Sequence, residues 1–141
     1  MTIEDLYKYR NIVKNIHDIV ERLLELDATL LSASKLTVVK VDNSHKTSEI
    51  DKYLEIKTKL EEKLIRELIS SLTEQFKIEQ FVDDISDLEI KLIVRKRFID
   101  GKKWEEIGQE LNTEMTTPRK KIKRYLESLE VKNESSIGRK Y

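Results

Sequence analysis

The sequence predicts an all-α protein, with a long N-terminal helical hairpin followed by a C-terminal helix-turn-helix domain. Three observations predict it. Glycine and proline are scarce, at 3 and 1 in 141 residues, so the frequent turns of a sandwich or barrel lack the residues that make them. Apolar residues recur at steps of three and four over two stretches of about 28 residues each, the period of an amphipathic helix. The single proline, Pro118, follows Thr117 at the head of a basic amphipathic segment, as at a helix start.

The first helix is expected from Thr2 to about Leu31. Leu6, Tyr9, Val13, Ile16, Val20, Leu23 and Leu30 form its ridge, widened by Ile12, Ile19 and Leu26. Thr2 followed by Asp5 is a start signal, because a threonine oxygen satisfies an orphan first-turn N–H. A connector is expected over about residues 33–47. Its Leu36 to Val41 portion has β-branched bias, but a lone strand cannot pair its backbone groups. The second long helix is expected from about Ser48 to Phe76, with Ile50, Tyr53, Leu54, Leu60, Leu64, Leu68 and Leu72 facing in. Neither helix can bury its stripe alone, so residues 1–78 read as a hairpin suited to oligomerisation.

Shorter elements follow, over residues 79–130. "KIEQFVDDI" reads as a turn of helix or an irregular bridge. Ser86 with Glu89 reads as a capping box, ahead of an apolar face of Leu88, Leu92, Ile93 and Phe98, with Gly101 as a left-handed stop. A short helix, "KKWEEIGQEL", directs Trp104, Ile107 and Leu111 inward, and "NTEM" turns the chain. Thr117 as N-cap and Pro118 as first helical residue open the last helix. The segment 131–141 lacks periodicity and reads as a flexible tail.

Charge is distributed unevenly in a chain whose 27 basic and 27 acidic residues cancel. On a helical wheel of the last helix, Pro118, Ile122, Tyr125, Leu126 and Leu129 share one side. Arg119, Lys120, Lys121, Lys123 and Arg124 fill the rest of its first two turns. A solvated face normally mixes signs; here Arg119 repels Lys123 and Lys120 repels Arg124, which a polyanion would relieve. Thr116 and Thr117 add hydroxyls and backbone N–H groups suited to phosphates or base edges. A helix, a tight turn and a second, basic helix is the layout of a helix-turn-helix whose second helix enters the DNA major groove. Arg95, Lys96, Lys102 and Lys103 are candidate backbone-phosphate contacts.

"LIVRKRFIDGKKWEEIGQELN" followed by "TTPRKKIKRYLESL" resembles the sigma-factor region-4-like (sigma-70 type) helix-turn-helix of small phage-encoded transcriptional regulators, the RinA and ArpU type of late-gene activator. The residues that carry the resemblance are Arg95, Arg97, Phe98, Ile99, Asp100 and Gly101, then Trp104, Glu105, Glu106, Ile107 and Leu111, then Arg124 and Leu126. It covers about residues 86 to 130. Three positions depart from that pattern: Asn112 stands where glycine is usual, Lys103 where a hydroxyl cap is usual, and Pro118 where an apolar β-branched residue usually packs. The resemblance implies a sequence-specific double-stranded DNA-binding protein of a bacteriophage or prophage that activates late-gene transcription by the host RNA polymerase.

Other classes fit the same pattern. A phage small terminase subunit also joins a helix-turn-helix to helical oligomerisation elements, and a helical adaptor without DNA binding needs only the amphipathic faces. A homo-oligomer, with a dimer favoured, is expected because a single helix-turn-helix has a small footprint. No catalytic residues, cofactor or metal are expected. The chain has no Gly-rich phosphate loop or Ser-His-Asp set, and no cysteine for thiolate chemistry. His17 and Glu21 have ligand spacing, but the only other histidine is His45 in the connector, so His17 reads as a surface residue. Asp83, Asp84, Asp87 and Glu89 read as helix-terminal acids. No apolar run spans a membrane, and acids occupy the start where a signal peptide would be basic, so a cytoplasmic protein is expected.

Overall fold

The computed structural model of the chain describes residues 1–38 and 44–138, and within 29–38, 44–47 and 134–138 it describes the backbone alone. Every regular element among the described residues is helical. In order these are α1 (Ile3–Tyr7), α2 (Tyr9–Val38), α3 (Ser44–Asp83), α4 (Leu88–Val94), a π-helical turn (Arg95–Ile99), α5 (Trp104–Glu110) and α6 (Thr116–Gly138). None of these helices is long and apolar enough to cross a membrane.

Thr2 caps α1 as its spacing to Asp5 predicts. Its hydroxyl accepts from the Asp5 N–H at 3.2 Å, and its own N–H donates to the Asp5 carboxylate at 2.9 Å. That backbone hydrogen bond, with the Thr2 hydroxyl and Lys8 behind it, holds the Asp5 carboxyl below its ordinary pKa. Lys8 interrupts the helix for one residue, but the bonds Lys8 N to Glu4 O and Ile12 N to Lys8 O carry the helical pattern across it.

The long helices outrun their expected limits. α2 continues to Val38 and α3 begins at Ser44, so most of the expected connector 33–47 is helical, and its residues 39–43 lie outside the described part. β-Branched residues lower helix propensity by only tenths of a kcal/mol each, whereas stopping leaves backbone groups without partners. No glycine or proline intervenes to force the stop. α3 likewise runs through "KIEQFVD" to Asp83, because Ile78 and Val82, four residues apart, are both buried. The expected tail is helical through Gly138, with residues 139–141 outside the described part.

Two compact units make up the chain: Val13–Thr73, and Met1–Ile12 with Glu74–Tyr141. The expected boundary at residue 78 therefore shifts, and the first twelve residues group with the C-terminal part. Leu6 and Tyr9 explain the grouping, since both are buried there. The Tyr9 hydroxyl donates to Glu79 at 2.6 Å, and Gln75 donates to Tyr9 and Glu79 at 3.4 and 3.2 Å. Burial, reinforced by the Glu79 carboxylate, raises the Tyr9 pKa above 10.0.

In the unit Val13–Thr73, α2 and α3 are antiparallel. Asn15 donates to Ser71 at 3.0 Å, while Asp27 faces Lys57 at 3.5 Å, so numbers rise on one helix as they fall on the other. The seam of α3 follows Ile50, Tyr53, Lys57, Glu61, Leu64, Leu68 and Ser71, each buried or half-buried. This corrects the expected ridge: Leu54, Leu60 and Leu72 are exposed. Polar residues at three seam positions hide the line from a reading of hydrophobicity. Lys57 is the buried one. Its ammonium pairs with Glu61 at 3.0 Å, and the Glu61 carboxylate, seconded by Asp27, raises its pKa against the opposing effect of desolvation.

Candidate nucleic-acid interface

The C-terminal helices stand on one apolar core. Ile90, Ile93 and Val94 of α4, Phe98 of the π turn, Ile107 of α5, and Pro118, Ile122 and Leu126 of α6 are all buried. Each fully buried Ile contributes about 1.5–3 kcal/mol relative to exposure. Two expectations for α4 change. Leu88 and Leu92 face solvent, and Ile90 and Val94 take their place beside Ile93, at the i, i+3, i+4 spacing of one helical face. Asp87, not Ser86, is the N-cap: its carboxylate accepts from the Glu89 and Ile90 N–H groups at 3.0 and 3.3 Å.

Gly101 stops the π turn in the left-handed conformation, at φ 75°, as expected. The Asp100 N–H reaches Arg95 O and the Lys102 N–H reaches Lys96 O, both at 2.9 Å, which satisfies carbonyls that the helix end would leave open. α5 is shorter than expected, seven residues, with Ile107 fully buried and Trp104 and Leu111 half-buried. Glu105 and Glu106 face solvent. Asn112 then takes φ 55°, the conformation that asparagine tolerates, and redirects the chain. Gly108 lies against that turn, where a Cβ would sit 3.0 Å from Thr113 O, so the turn passes close to α5 because this residue lacks a side chain.

α6 opens at Thr116, two residues before the expected first helical residue, Pro118. Proline still costs no hydrogen bond there, because none of the first four N–H groups of a helix has an intrahelical acceptor. Thr117 is therefore not the N-cap. It is half-buried and its N–H donates to Glu114 O at 3.1 Å, so of the two threonines only Thr116 is exposed. Pro118, Ile122 and Leu126 form the buried ridge.

The cations separate into two groups. Arg119, Lys120, Lys123 and Arg124 are exposed, and no acid pairs with them among the described residues. Lys121, expected on the same face, is half-buried on the α4 side and pairs with Glu89 at 2.5 Å. The candidate phosphate contacts are mostly committed elsewhere. Arg95 pairs with Asp83 at 2.6 Å, Lys102 with Glu110 at 2.6 Å, and Lys96 with the same Glu110. Lys103 alone of the four is exposed and unpaired among the described residues; its N–H donates to Glu106 at 3.4 Å.

The role of one further cation, Arg97, could not be read from the sequence. The Arg97 guanidinium lies 5.1 Å from the Trp104 ring centre and 5.5 Å from that of Tyr7, and donates to Lys102 O at 2.9 Å. Tyr7 and Trp104 each meet Phe98 edge-on. Arg97 is thus a bracket joining α1, the π turn and the start of α5, not a surface charge. The exposed His17 stands on α2 with no ligand cluster among the described residues.

Comparison with family models, with curated proteins and with solved structures gives no match.

Proposed function

We propose that the chain is a double-stranded DNA-binding transcription regulator in which α5, its turn and α6 act as a helix-turn-helix, with α6 in the major groove. The observation that carries this is the division of the cations. Around α6 the acids neutralise Arg95, Lys96, Lys102 and Lys121, yet leave Arg119, Lys120, Lys123 and Arg124 bare on one side of one helix. Like charges at i and i+4 destabilise a helix, so a partner bearing regular negative charge relieves the arrangement. Release of counterions from that partner supplies the affinity. Exposed Thr116 and the two lysines offer donors for phosphates and base edges. The buried ridge Pro118, Ile122 and Leu126 holds the helix at a set angle on α4 and α5.

The resemblance of residues 86 to 130 to late-gene activators narrows the proposal to a phage or prophage activator that works with host RNA polymerase in the bacterial cytoplasm. Selection of bound sequences from a random duplex pool at low salt tests it, and enrichment of a defined site is expected. Failure to retain any duplex would overturn it in favour of an adaptor. Site binding by a ring of eight or more subunits would instead mark a small terminase subunit.

A further inference from the structure

The hairpin of α2 and α3 within Val13–Thr73 has two unlike sides. At 100° per residue, Arg22 and Glu25 of α2 share one side with Lys63 and Glu67 of α3, bordering a groove floored by Leu26, Leu60 and Leu64. The other side carries Val20 and Leu24 on α2 and Ile65, Ile69 and Leu72 on α3, exposed by 39%, 64%, 45%, 58% and 45%. The charged side also exposes Ile56 and Leu60, but Arg22, Glu25, Lys63 and Glu67 surround them, whereas the other side sets five apolar side chains together across both helices.

We propose that a second copy of this chain covers the apolar side, closing two hairpins into a four-helix bundle. A two-helix layer buries one stripe per helix, and here that seam is partly spent on Lys57, Glu61 and the Asn15–Ser71 bond. The leftover face amounts to roughly 450 Å² of apolar side chain per copy, within the size range of the largest patch on a monomer, which is often a functional contact surface. Doubled by two-fold symmetry and widened by its rim, it reaches the roughly 1,000 Å² that a specific interface requires.

The face is also complementary to itself. The pairs Asn15–Ser71 and Asp27–Lys57 set Val20 level with Ile65 within one hairpin. A two-fold axis running between the helices lays α2 of each copy over α3 of the other, so Val20 and Leu24 of one cover Ile65 and its neighbours on the other. The nearest acids, Asp27 and Glu61, are already paired with Lys57, so docking buries no orphan charge. This holds whether or not α6 binds DNA.

Sedimentation of the full chain at tens of micromolar tests it, and a dimer is expected. Ile69→Glu and Leu24→Glu, one on each helix, should each weaken self-association at least about 100-fold, as loss of a central apolar contact does. Both should keep wild-type helicity by circular dichroism, whereas Lys63→Glu on the charged side should remain dimeric. The chain has no cysteine, so a nitroxide on Arg22→Cys, on the charged side, reports the second copy without touching the proposed interface, and dipolar coupling between copies is expected. A wild-type monomer, a dimer indifferent to both Glu variants, or labels without coupling would overturn the assignment.

Discussion

Replacing Arg119, Lys120, Lys123 and Arg124 together by alanine removes the four bare cations of α6 and leaves the paired ones in place. If each neutralises one phosphate, the log–log slope of affinity against salt should flatten by about 0.9 per residue, or about 3.6 in all. Between roughly 50 and 200 mM salt, the wild-type chain should then lose about 150-fold more affinity than the variant. Folding should not suffer, because the repulsions Arg119–Lys123 and Lys120–Arg124 disappear and the helix gains a few tenths of a kcal/mol. Lys121→Ala is the control. Its ammonium sits on the α4 side, 2.5 Å from Glu89, so its loss should leave the slope unchanged. Fluorescence anisotropy with a labelled duplex at four salt concentrations measures both, with thermal melts run in parallel. A fourfold variant whose slope stays at the wild-type value would refute the reasoning, as would Lys121→Ala flattening the slope equally.

Other perturbations test the scaffold. Gly101→Ala places a Cβ 2.5 Å from the Arg10 guanidinium, which must leave its 3.1 Å bond to Ile99 O, and imposes φ 75° on a residue with a side chain. A loss of about 1–2 kcal/mol is expected from the backbone alone, with Gly101→Asn falling between it and wild type in a urea titration. Asp87→Ala removes the α4 cap and should cost about 1 kcal/mol by the same measurement, while Ser86→Ala should cost almost nothing. Stability should also fall at alkaline pH. Tyr9 and Lys57 both have folded pKa values raised above their ordinary 10.0 and 10.5. Each contribution is therefore complete below the ordinary value and lost as pH rises through the raised one. Melts from pH 9 to 12 should show this decline, and Tyr9→Phe should reduce it; a decline unaltered by Tyr9→Phe would exclude Tyr9 as a contributor.

The elements that could be read from the sequence are those whose signal is local. The Thr2–Asp5 cap, the left-handed stops at Gly101 and Asn112, and the apolar ridge of α6 each depend on residues within one or two turns. Boundaries set by weak propensities were harder to read. The 33–47 connector and the 131–141 tail lack periodicity, yet helix continues through their described parts, because periodicity reports burial and not backbone conformation. At α4 a one-residue shift of the cap, from Ser86 to Asp87, accompanied the replacement of Leu88 and Leu92 by Ile90 and Val94 in the buried face.

The sequence by itself determined the all-helical class and the basic face of the last helix, because period, caps and charge order are properties of neighbours along the chain. Which cations are bare was decided by tertiary structure alone. Glu89 lies 32 residues before Lys121 and Glu110 lies 14 beyond Lys96, and only the packing of α4, the π turn, α5 and α6 brings them together. A carboxylate neutralises whichever ammonium lies within a few ångströms of it. Folding thereby turned nine candidate cations on α6 and before it into four that are exposed and unpaired among the described residues along one side of α6, with Lys103 apart.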